Sequence, residues 1–288
     1  MMADAYQLHN GNLDKLWRWD GDEENPIIRA QGAHTMHGVD VDGDGRDEVV
    51  LGSVVLNDNG TALWSAGLGH PDTVIVTDID PGRPGLEILY TMCNYSIAER
   101  GVTMVDAATG RSIWDIGIKT RHVGSGMVAD VNPDIPGLEV FASEDPKMGL
   151  SDNYMLTARG ETFGEIEDFP AGKFPSDRNW IWWDADRLRE IIQITGRRPN
   201  RSASIVKFEG KTVQGGMEGR LMMTADLYGD WREELVMVDP GKIRIYSTSV
   251  PARDRHVTLM QDPLYRNNVA HHSMGYAQSP IPSFYLGE

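Results

Sequence analysis

The sequence predicts an all-β protein of the β-propeller class, and two features support this prediction. An acidic pattern followed by a short apolar run recurs five times, with starts at residues 40, 78, 130, 184 and 226. The 31 glycines and 15 prolines in 288 residues favour many turns between short strands. Repeats of roughly 40 to 50 residues with about four short strands each are typical of propeller blades. A β-sandwich with irregular loops is the alternative that these features leave open.

Each repeat predicts a loop, then a strand, then a turn and another strand. The apolar runs are rich in the β-branched and aromatic residues that favour strands. The turn signals are Asn57-Asp58-Asn59-Gly60 and Thr109-Gly110, which supply residues that tolerate positive φ. The five runs are Val49-Val50-Leu51, Ile88-Leu89-Tyr90, Val140-Phe141, Ile191-Ile192 and Leu235-Val236-Met237.

The predicted propeller covers residues 1–288 as a single domain of about five blades. Five blades are few for a closed ring, and an open ring leaves strand edges bare. We therefore expect the ring to be completed either by blades N-terminal to this chain or by another copy of it in a homo-oligomer.

Composition and charge exclude several classes of partner. The formal net charge of −16 argues against a nucleic-acid backbone or an anionic membrane surface, and it suits cations better. No window approaches the roughly 18 apolar residues that a membrane helix needs. Cys93 is the only cysteine, so the chain forms no internal disulfide. Met1–Gln7 shows neither the basic nor the apolar region of an export signal.

The first acidic repeat predicts a calcium site. Alternating aspartates followed by a glycine place oxygen ligands on one side of a tight loop, and calcium takes six to eight such oxygens. The predicted ligands in this loop are Asp40, Asp42, Asp44 and Glu48. The other loops have fewer acids, and each is either a partly ligated calcium site or a strand cap. Their candidate ligands are Asp78, Asp80, Asp130 and Asp226.

Two glycine-flanked histidine stretches, Gly32–Gly38 and Gly67–Asp72, directly precede acidic repeats. They contain His34, His37 and His70. In a propeller both stretches are expected at corresponding corners of adjacent blades, where a histidine either binds a metal or transfers a proton. The alternative is that these histidines only form hydrogen bonds at the blade tops.

Long motifs of this chain resemble the rhamnogalacturonan lyases of polysaccharide lyase family 11, from about Leu16 to Gly287. The resemblance is carried by Gln31–Gly45, Gly67–Asp72, Asp80–Glu87, Ala225–Glu234 and Met260–Arg266. It implies a larger protein with an N-terminal β-domain and an eight-bladed propeller that holds several calcium ions. This chain would then be the C-terminal part, secreted or periplasmic if its N-terminus is truncated and otherwise cytoplasmic.

The resemblance implies calcium-dependent β-elimination at the rhamnose-α-1,4-galacturonate bonds of rhamnogalacturonan I, a pectic polysaccharide. It places His34, His70 and Asp72 at the metal and substrate centre, and Tyr276 where a sugar ring stacks. His37, His122 and Arg121 lie near the presumed blade corners, and each is a candidate for the proton acceptor or for a group that binds the uronate carboxylate. Arg232 has either a catalytic role or a structural salt bridge.

One departure from the family pattern leaves two alternatives open. The resemblance leads us to expect a glutamate on the strand after the second acidic loop, and Cys93 stands nearest that place. Losing a carboxylate weakens a calcium centre. The alternatives are a non-catalytic, calcium-stabilised propeller that binds glycan or protein, and a lyase that acts on another uronate and rhamnose polysaccharide such as ulvan.

Overall fold

The computed structural model describes residues 1–24, 29–98, 100–164, 169, 174–197, 200–271 and 278–287. About 45% of the chain is strand and 6% helix, so the all-β prediction is confirmed. Among the described residues the helical segments are two 3₁₀ turns, Pro146–Met148 and Leu259–Gln261, and helix α1, Pro263–His271. Within the described ranges, no helix has the length and apolar character needed to cross a membrane.

Twenty strands account for most of the described structure. They are β1 Met2–His9, β2 Asn12–Asp20, β3 Gly32–Val39, β4 Glu48–Gly52, β5 Val54–Leu56, β6 Ala62–Ser65, β7 Pro71–Thr77, β8 Glu87–Ala98, β9 Val102–Asp106, β10 Ser112–Asp115, β11 Thr120–Ala129, β12 Glu139–Glu144, β13 Asn153–Leu156, β14 Trp180–Ile181, β15 Glu190–Thr195, β16 Ser202–Val206, β17 Thr212–Glu218, β18 Arg220–Ala225, β19 Glu234–Asp239 and β20 Lys242–Tyr246.

The strands form five sheets. Strands β1 and β2 make a hairpin, and the other small sheets have the orders β3-β4-β5-β6, β14-β15-β16-β17 and β18-β19-β20. The largest sheet has seven strands, in the order β10-β9-β8-β11-β12-β13 with β7 beside β8. The chain divides into two compact units. Unit 1 comprises Met1–Val76, Gly85–Gly124 and Glu144–Leu150, and unit 2 comprises Thr77–Pro84, Ser125–Ser143 and Ser151–Glu288.

The propeller prediction is wrong, and with it the count of five blades. Blades are separate sheets of about four strands, whereas these sheets are sandwich-like, with one half-barrel. The main cause is β8, which is 12 residues long. Its first half, Glu87–Thr91, pairs with β9, and its second half pairs with β11 through Cys93 and Ala98. The apolar run in the sequence marked only the first half.

The predicted succession of acidic loop and strand is confirmed in all five repeats. Each strand begins at a glutamate whose side chain is buried. The glutamates Glu48, Glu139, Glu190 and Glu234 each accept a hydrogen bond from a backbone N–H near the start of their own loop, which holds the two ends of the loop together. The five glutamates are Glu48, Glu87, Glu139, Glu190 and Glu234.

Each unit has its own apolar packing. In unit 1, Trp19, Val54 and Leu56 form a buried cluster. In unit 2 a buried cluster lies between the strands of the β14–β17 and β18–β20 sheets and includes Ile192 and Leu235. Apolar burial of this kind supplies the main favourable free energy of folding.

Gly52, at the end of β4, gives the first testable prediction. Its φ is +141°, and a Cβ at this position would lie 2.1 Å from the carbonyl oxygen of Gln31. Because the obstacle is backbone, Gly52→Ala should lower the free energy of unfolding by about 3 kcal/mol. Urea denaturation measures this loss. The control is Gly43→Ala, where φ is +81° and the new methyl meets nothing within 4 Å. That variant should lose only about 1 kcal/mol, and equal losses would contradict the steric argument.

Candidate functional site

Four predicted side chains of unit 1 come together in what we call the histidine–aspartate cluster: His34, His70, Asp72 and His122. His34 lies on β3, His70 precedes β7, Asp72 is the second residue of β7, and His122 lies on β11. Strands β7 and β11 both pair with β8. The short loops and neighbouring strands therefore bring together residues that are distant in sequence.

Asp72 lies at the centre of the cluster. Its Oδ1 is 3.5 Å from His34 Nε2 and 3.8 Å from His70 Nε2, and the two Nε2 atoms are 3.2 Å apart. Its Oδ2 contacts His122 Nε2. One carboxylate therefore connects three imidazole rings.

The hydrogen bond of His70 Nδ1 fixes the tautomer of that ring. Nδ1 contacts the carbonyl oxygen of Gly32, which can only accept, so Nδ1 carries the hydrogen. In the neutral ring the lone pair is then on Nε2, which faces His34 and Asp72. A histidine held in this way through its other nitrogen is typical of metal ligands.

Cys93 supports the cluster from β8. Its Sγ is 3.4 Å from His122 Nδ1, and its backbone N–H donates to the carbonyl oxygen of His70 at 3.1 Å. His122 therefore lies between the thiol of Cys93 and the carboxylate of Asp72. Such a line of contacts orients the Asp72 carboxylate toward the other two histidines.

The side chains of the histidine–aspartate cluster differ in solvent exposure, and a ligand can reach the cluster at the exposed ones. The side chains of His34 and His70 are 34% and 33% exposed, whereas Asp72 is 12% exposed. His34, His70 and Asp72 offer three donor atoms that lie within 4.8 Å of one another. Two imidazoles and a carboxylate can hold a divalent cation or take part in proton transfer.

The first acidic loop brings together three of its four predicted ligands. Donor atoms of Asp40, Asp42 and Glu48 lie within 4.8 Å of one another, and Asp44 is not part of this group. Both oxygens of Asp40 accept backbone hydrogen bonds, from Gly43 and Gly45. Glu48 Oε1 is buried and has no hydrogen-bond partner. Burial and the neighbouring aspartates raise the pKa of Glu48, so a cation in this loop would satisfy an otherwise costly carboxylate.

The second and third loops contribute buried carboxylates to unit 2. Asp78 Oδ1 and Asp130 Oδ1 are buried without a hydrogen-bond partner. Burial raises the pKa of Glu139 to about 8. Asp80 accepts a hydrogen bond from Gly82 N–H at 3.1 Å. Metal ligation by Asp78, Asp80 and Asp130 stays a prediction.

Asp226 does not fit a metal. Its two oxygens accept hydrogen bonds from three backbone N–H groups within its own loop and from Thr258 and Leu259. Because protein donors surround this carboxylate, a cation would have to displace them. The geometry supports the strand-cap alternative at this loop.

Four other predicted residues lie outside these groups. His37 is buried, and its Nε2 lies 3.0 Å from the carbonyl oxygen of Val74. Arg121 is exposed on β11, and its own N–H donates to Glu144. The guanidinium of Arg232 contacts Asp230, which fits the structural salt bridge. Tyr276 lies outside the described residues. Catalytic or substrate-binding roles for these residues stay predictions.

Sequence reasoning missed two kinds of charged residue in the acidic loops: buried glutamates at strand starts and a lysine that contacts carboxylates. Glu139 and Glu190 are buried carboxylates at strand starts, and the signal for them was present, because each directly precedes its apolar run. Lys207 Nζ contacts Asp184, Asp186 and Glu190 in the fourth loop. Nothing in the local sequence around Lys207 indicated this contact.

Comparison with known proteins gives consistent matches. A family model described as "Rhamnogalacturonan lyase family 11, C-terminal domain" matches residues 1–288. Rhamnogalacturonan endolyase YesW of Bacillus subtilis (strain 168) is 37% identical over 298 residues, covering 100% of this chain and 45% of YesW. Rhamnogalacturonan exolyase YesX of the same strain is 35% identical over 300 residues, covering 98% of this chain and 48% of YesX.

Solved structures agree with the sequence matches. The crystal structure of YesX superposes with a TM-score of 0.86 at 33% identity, covering 99% of this chain and 49% of that one. A rhamnogalacturonan lyase of Bacillus licheniformis gives a TM-score of 0.82 at 33% identity, covering 100% of this chain and 48% of that one. The chain spans about half the length of the curated relatives it matches. It belongs to rhamnogalacturonan lyase family 11, whose C-terminal domain model it matches over its whole length.

Proposed function

We propose that this chain acts in the cleavage of rhamnose-α-1,4-galacturonate bonds of rhamnogalacturonan I by β-elimination. Its relatives are named as an endolyase and an exolyase of rhamnogalacturonan. In β-elimination a base removes the C5 proton of the uronate, a C4=C5 double bond forms, and the C4–O4 bond breaks. The reaction therefore needs neutralisation of the uronate carboxylate, a proton acceptor and help for the leaving oxygen.

The single observation that carries the proposal is the position of Asp72. Its Oδ1 faces the Nε2 atoms of His34 and His70, and its Oδ2 is held by His122. Three donors in this arrangement fit a divalent cation, which would supply the positive charge that neutralises the uronate carboxylate. His122 orients Asp72, and Cys93 orients His122. His37, His122 and Arg121 remain the sequence-predicted candidates for the proton acceptor or for the group that binds the uronate carboxylate.

The test measures the ultraviolet absorbance of the unsaturated uronate when the 288-residue chain is incubated with rhamnogalacturonan I. We expect a rise in absorbance that a chelator abolishes and that added calcium restores. The His34→Ala/His70→Ala double variant should lose this activity. The matched control is His9→Ala, because His9 is exposed on the β1–β2 hairpin.

Two outcomes would contradict the proposal. One is full activity in a folded His34→Ala/His70→Ala variant. The other is binding of the polysaccharide by the metal-loaded chain without any new double bond, even after the chain is joined to the N-terminal portion of a relative. A double bond formed only in ulvan would instead support the alternative substrate.

We further propose that calcium binds the first acidic loop and has a structural role. The buried, unpartnered Oε1 of Glu48 beside Asp40 and Asp42 supports this site. The loop's own backbone hydrogen bonds to Asp40 pre-form the turn. A cation here would link the loop to the start of β4 without touching substrate.

Glu48→Gln tests this calcium site. In the parent chain, calcium at 100 times its dissociation constant should add about 2.7 kcal/mol to the free energy of unfolding. In Glu48→Gln most of this increment should vanish, because the amide supplies no charge and only one oxygen in place of two. Thermal unfolding with and without chelator measures the difference. The control is Asp47→Asn, an exposed acid in the same loop that should keep the full calcium effect. An unchanged calcium response in Glu48→Gln would exclude this site.

A further inference from the structure

In the fourth acidic loop, the positively charged side chain of Lys207 lies among the carboxylates. Lys207 Nζ lies 2.8 Å from Asp184 Oδ2, 2.6 Å from Asp186 Oδ2 and 2.9 Å from Glu190 Oε1. The Lys207 side chain is 13% exposed, and that of Glu190 is fully buried. The contact with Asp186 is a hydrogen bond. The contacts with Asp184 and Glu190 are ion pairs, and Glu190 Oε1 has no hydrogen-bond partner, so the ammonium charge is what compensates this buried carboxylate.

The first and fourth loops share their acidic framework. In each, two aspartates separated by one residue and the glutamate that begins the next strand place donor atoms within 4.8 Å of one another. In each, that glutamate accepts a backbone hydrogen bond from the residue seven positions before it, Val41 or Trp183. Asp184 and Asp186 therefore correspond to Asp42 and Asp44, and Trp182 stands where the first loop has Asp40. The two loops differ in what faces the carboxylates.

Besides the absence of a counterpart to Asp40, the fourth loop differs from the first at one position of the strand pairing. Val49 pairs with Leu56, so the next residue, Asn57, stands opposite Glu48. Ile191 pairs with Val206, so Lys207 stands opposite Glu190. The five residues at this opposing position are Asn57, Asp106, Thr157, Lys207 and Ser247.

The backbone at this position is the same in the two loops. Asn57 N–H donates to Thr61 at 2.8 Å, and its carbonyl accepts from Gly60 at 2.9 Å. Lys207 N–H donates to Lys211 at 2.9 Å, and its carbonyl accepts from Gly210 at 2.9 Å. The two side chains therefore start from equivalent places, and only their chemistry differs.

The side chains lead to opposite electrostatic situations. In the first loop, Asn57 Oδ1 and Glu48 Oε1 are both buried without hydrogen-bond partners, which leaves two oxygen atoms in need of a positive partner. In the fourth loop the Lys207 ammonium lies among the carboxylates. In the fifth loop the opposing Ser247 donates to Glu234 Oε1 at 3.0 Å.

We propose that Lys207 takes the place of a divalent cation in the fourth loop, and that the residue opposite the buried glutamate determines whether an acidic loop requires metal. Calcium and the ammonium group need the same oxygen atoms, so the two cannot occupy the loop together. We therefore expect the fourth loop to bind no calcium and to keep its conformation at any calcium concentration. The first loop, with Asn57 at the same position, depends on an external cation.

Exchange of the two residues tests the proposal independently of lyase activity. Lys207→Asn should add one equivalent of bound calcium per chain, measured by titration calorimetry on metal-free protein and by metal analysis after gel filtration. Asn57→Lys should remove one equivalent. The control is Lys211→Asn, which makes the same charge change at an exposed position of the same turn and should leave the calcium count unchanged.

A measurement on the unmodified chain covers the case in which Lys207→Asn fails to fold. Chelation should speed hydrogen exchange at the backbone amides of Gly43 and Gly45, while those of Asp186 and Leu188 in the fourth loop stay protected. The proposal is overturned if folded Lys207→Asn binds no additional calcium, or if chelation exposes the fourth loop of the unmodified chain. If the unmodified chain binds no calcium, the first-loop site and the role proposed for Asn57 both fail, and Lys207→Asn still decides whether Lys207 takes the place of a cation.

Discussion

Asp72→Asn is expected to lower the rate of unsaturated-uronate formation by about a hundredfold to a thousandfold. The asparagine keeps the shape of the side chain but removes its charge and one of its two acceptor oxygens. If the amide NH₂ group faces His122, His122 Nε2 loses its acceptor oxygen; if it faces His34 and His70, the carboxylate oxygen that would hold a cation is lost. The absorbance assay measures the rate.

The control for this prediction is Asp14→Asn, an exposed aspartate on β2. It should leave the rate unchanged. Circular dichroism and thermal unfolding of both variants separate loss of chemistry from loss of fold. A folded Asp72→Asn variant with a rate within about threefold of the parent would remove Asp72 from the mechanism, since loss of a positioned acid–base group typically costs at least a hundredfold.

Arg189→Met is expected to cause the largest loss of stability. The guanidinium is buried in unit 2, where Nη2 lies 3.6 Å from Glu233 Oε2 and the group stacks 3.8 Å from the Trp182 ring. Glu233 is fully buried as well. Removing the cation leaves an uncompensated buried carboxylate, which typically costs about 3–5 kcal/mol. Urea denaturation at fixed pH measures the change.

The loss in Arg189→Met should depend on pH. Burial already raises the pKa of Glu233 to about 7, and Arg189 opposes that shift. Without Arg189 the pKa of Glu233 should rise further above its value in the unfolded chain. A raised pKa gives stability that is present at low pH and is lost as pH rises through the folded-state pKa. The variant should therefore lose more stability at pH 8 than at pH 5.

Two further variants complete this test. Arg189→Met combined with Glu233→Gln should recover part of the loss, because no buried charge remains. Arg197→Met, at an exposed arginine of the same unit, should change the free energy of unfolding by less than about 0.5 kcal/mol. An Arg189→Met loss that is independent of pH would show that the guanidinium acts through packing on Trp182 and not through its charge.

The local parts of the fold could be predicted from the sequence. Each acidic loop and the strand after it depend on residues close in the chain, such as Asp40, Glu48 and the run that follows. The turn at Asn57–Gly60 formed for the same reason. The sheet architecture depends on pairing between distant strands, and no local pattern showed that β8 continues from its contact with β9 to a second contact with β11.

The candidate site divides in the same way. His34, His70 and Asp72 were identified from motifs, and the structure brings them together. The contact between Cys93 and His122 follows from the pairing of β8 with β11, so it could not be derived without the sheet order. Lys207 was missed because it follows a strand in a hairpin turn, where a lysine is ordinarily solvent-exposed.

Cys93 also offers a way to observe the histidine–aspartate cluster directly. It is the only cysteine in the 288 residues, and its Sγ lies 3.4 Å from His122 Nδ1. A small fluorinated group attached through a thiol-selective reagent would label the chain at this one atom, with no engineered cysteine and no background from other thiols. Its fluorine resonance would then report when a sugar or a metal enters the cluster, whether or not a bond in the polysaccharide is broken.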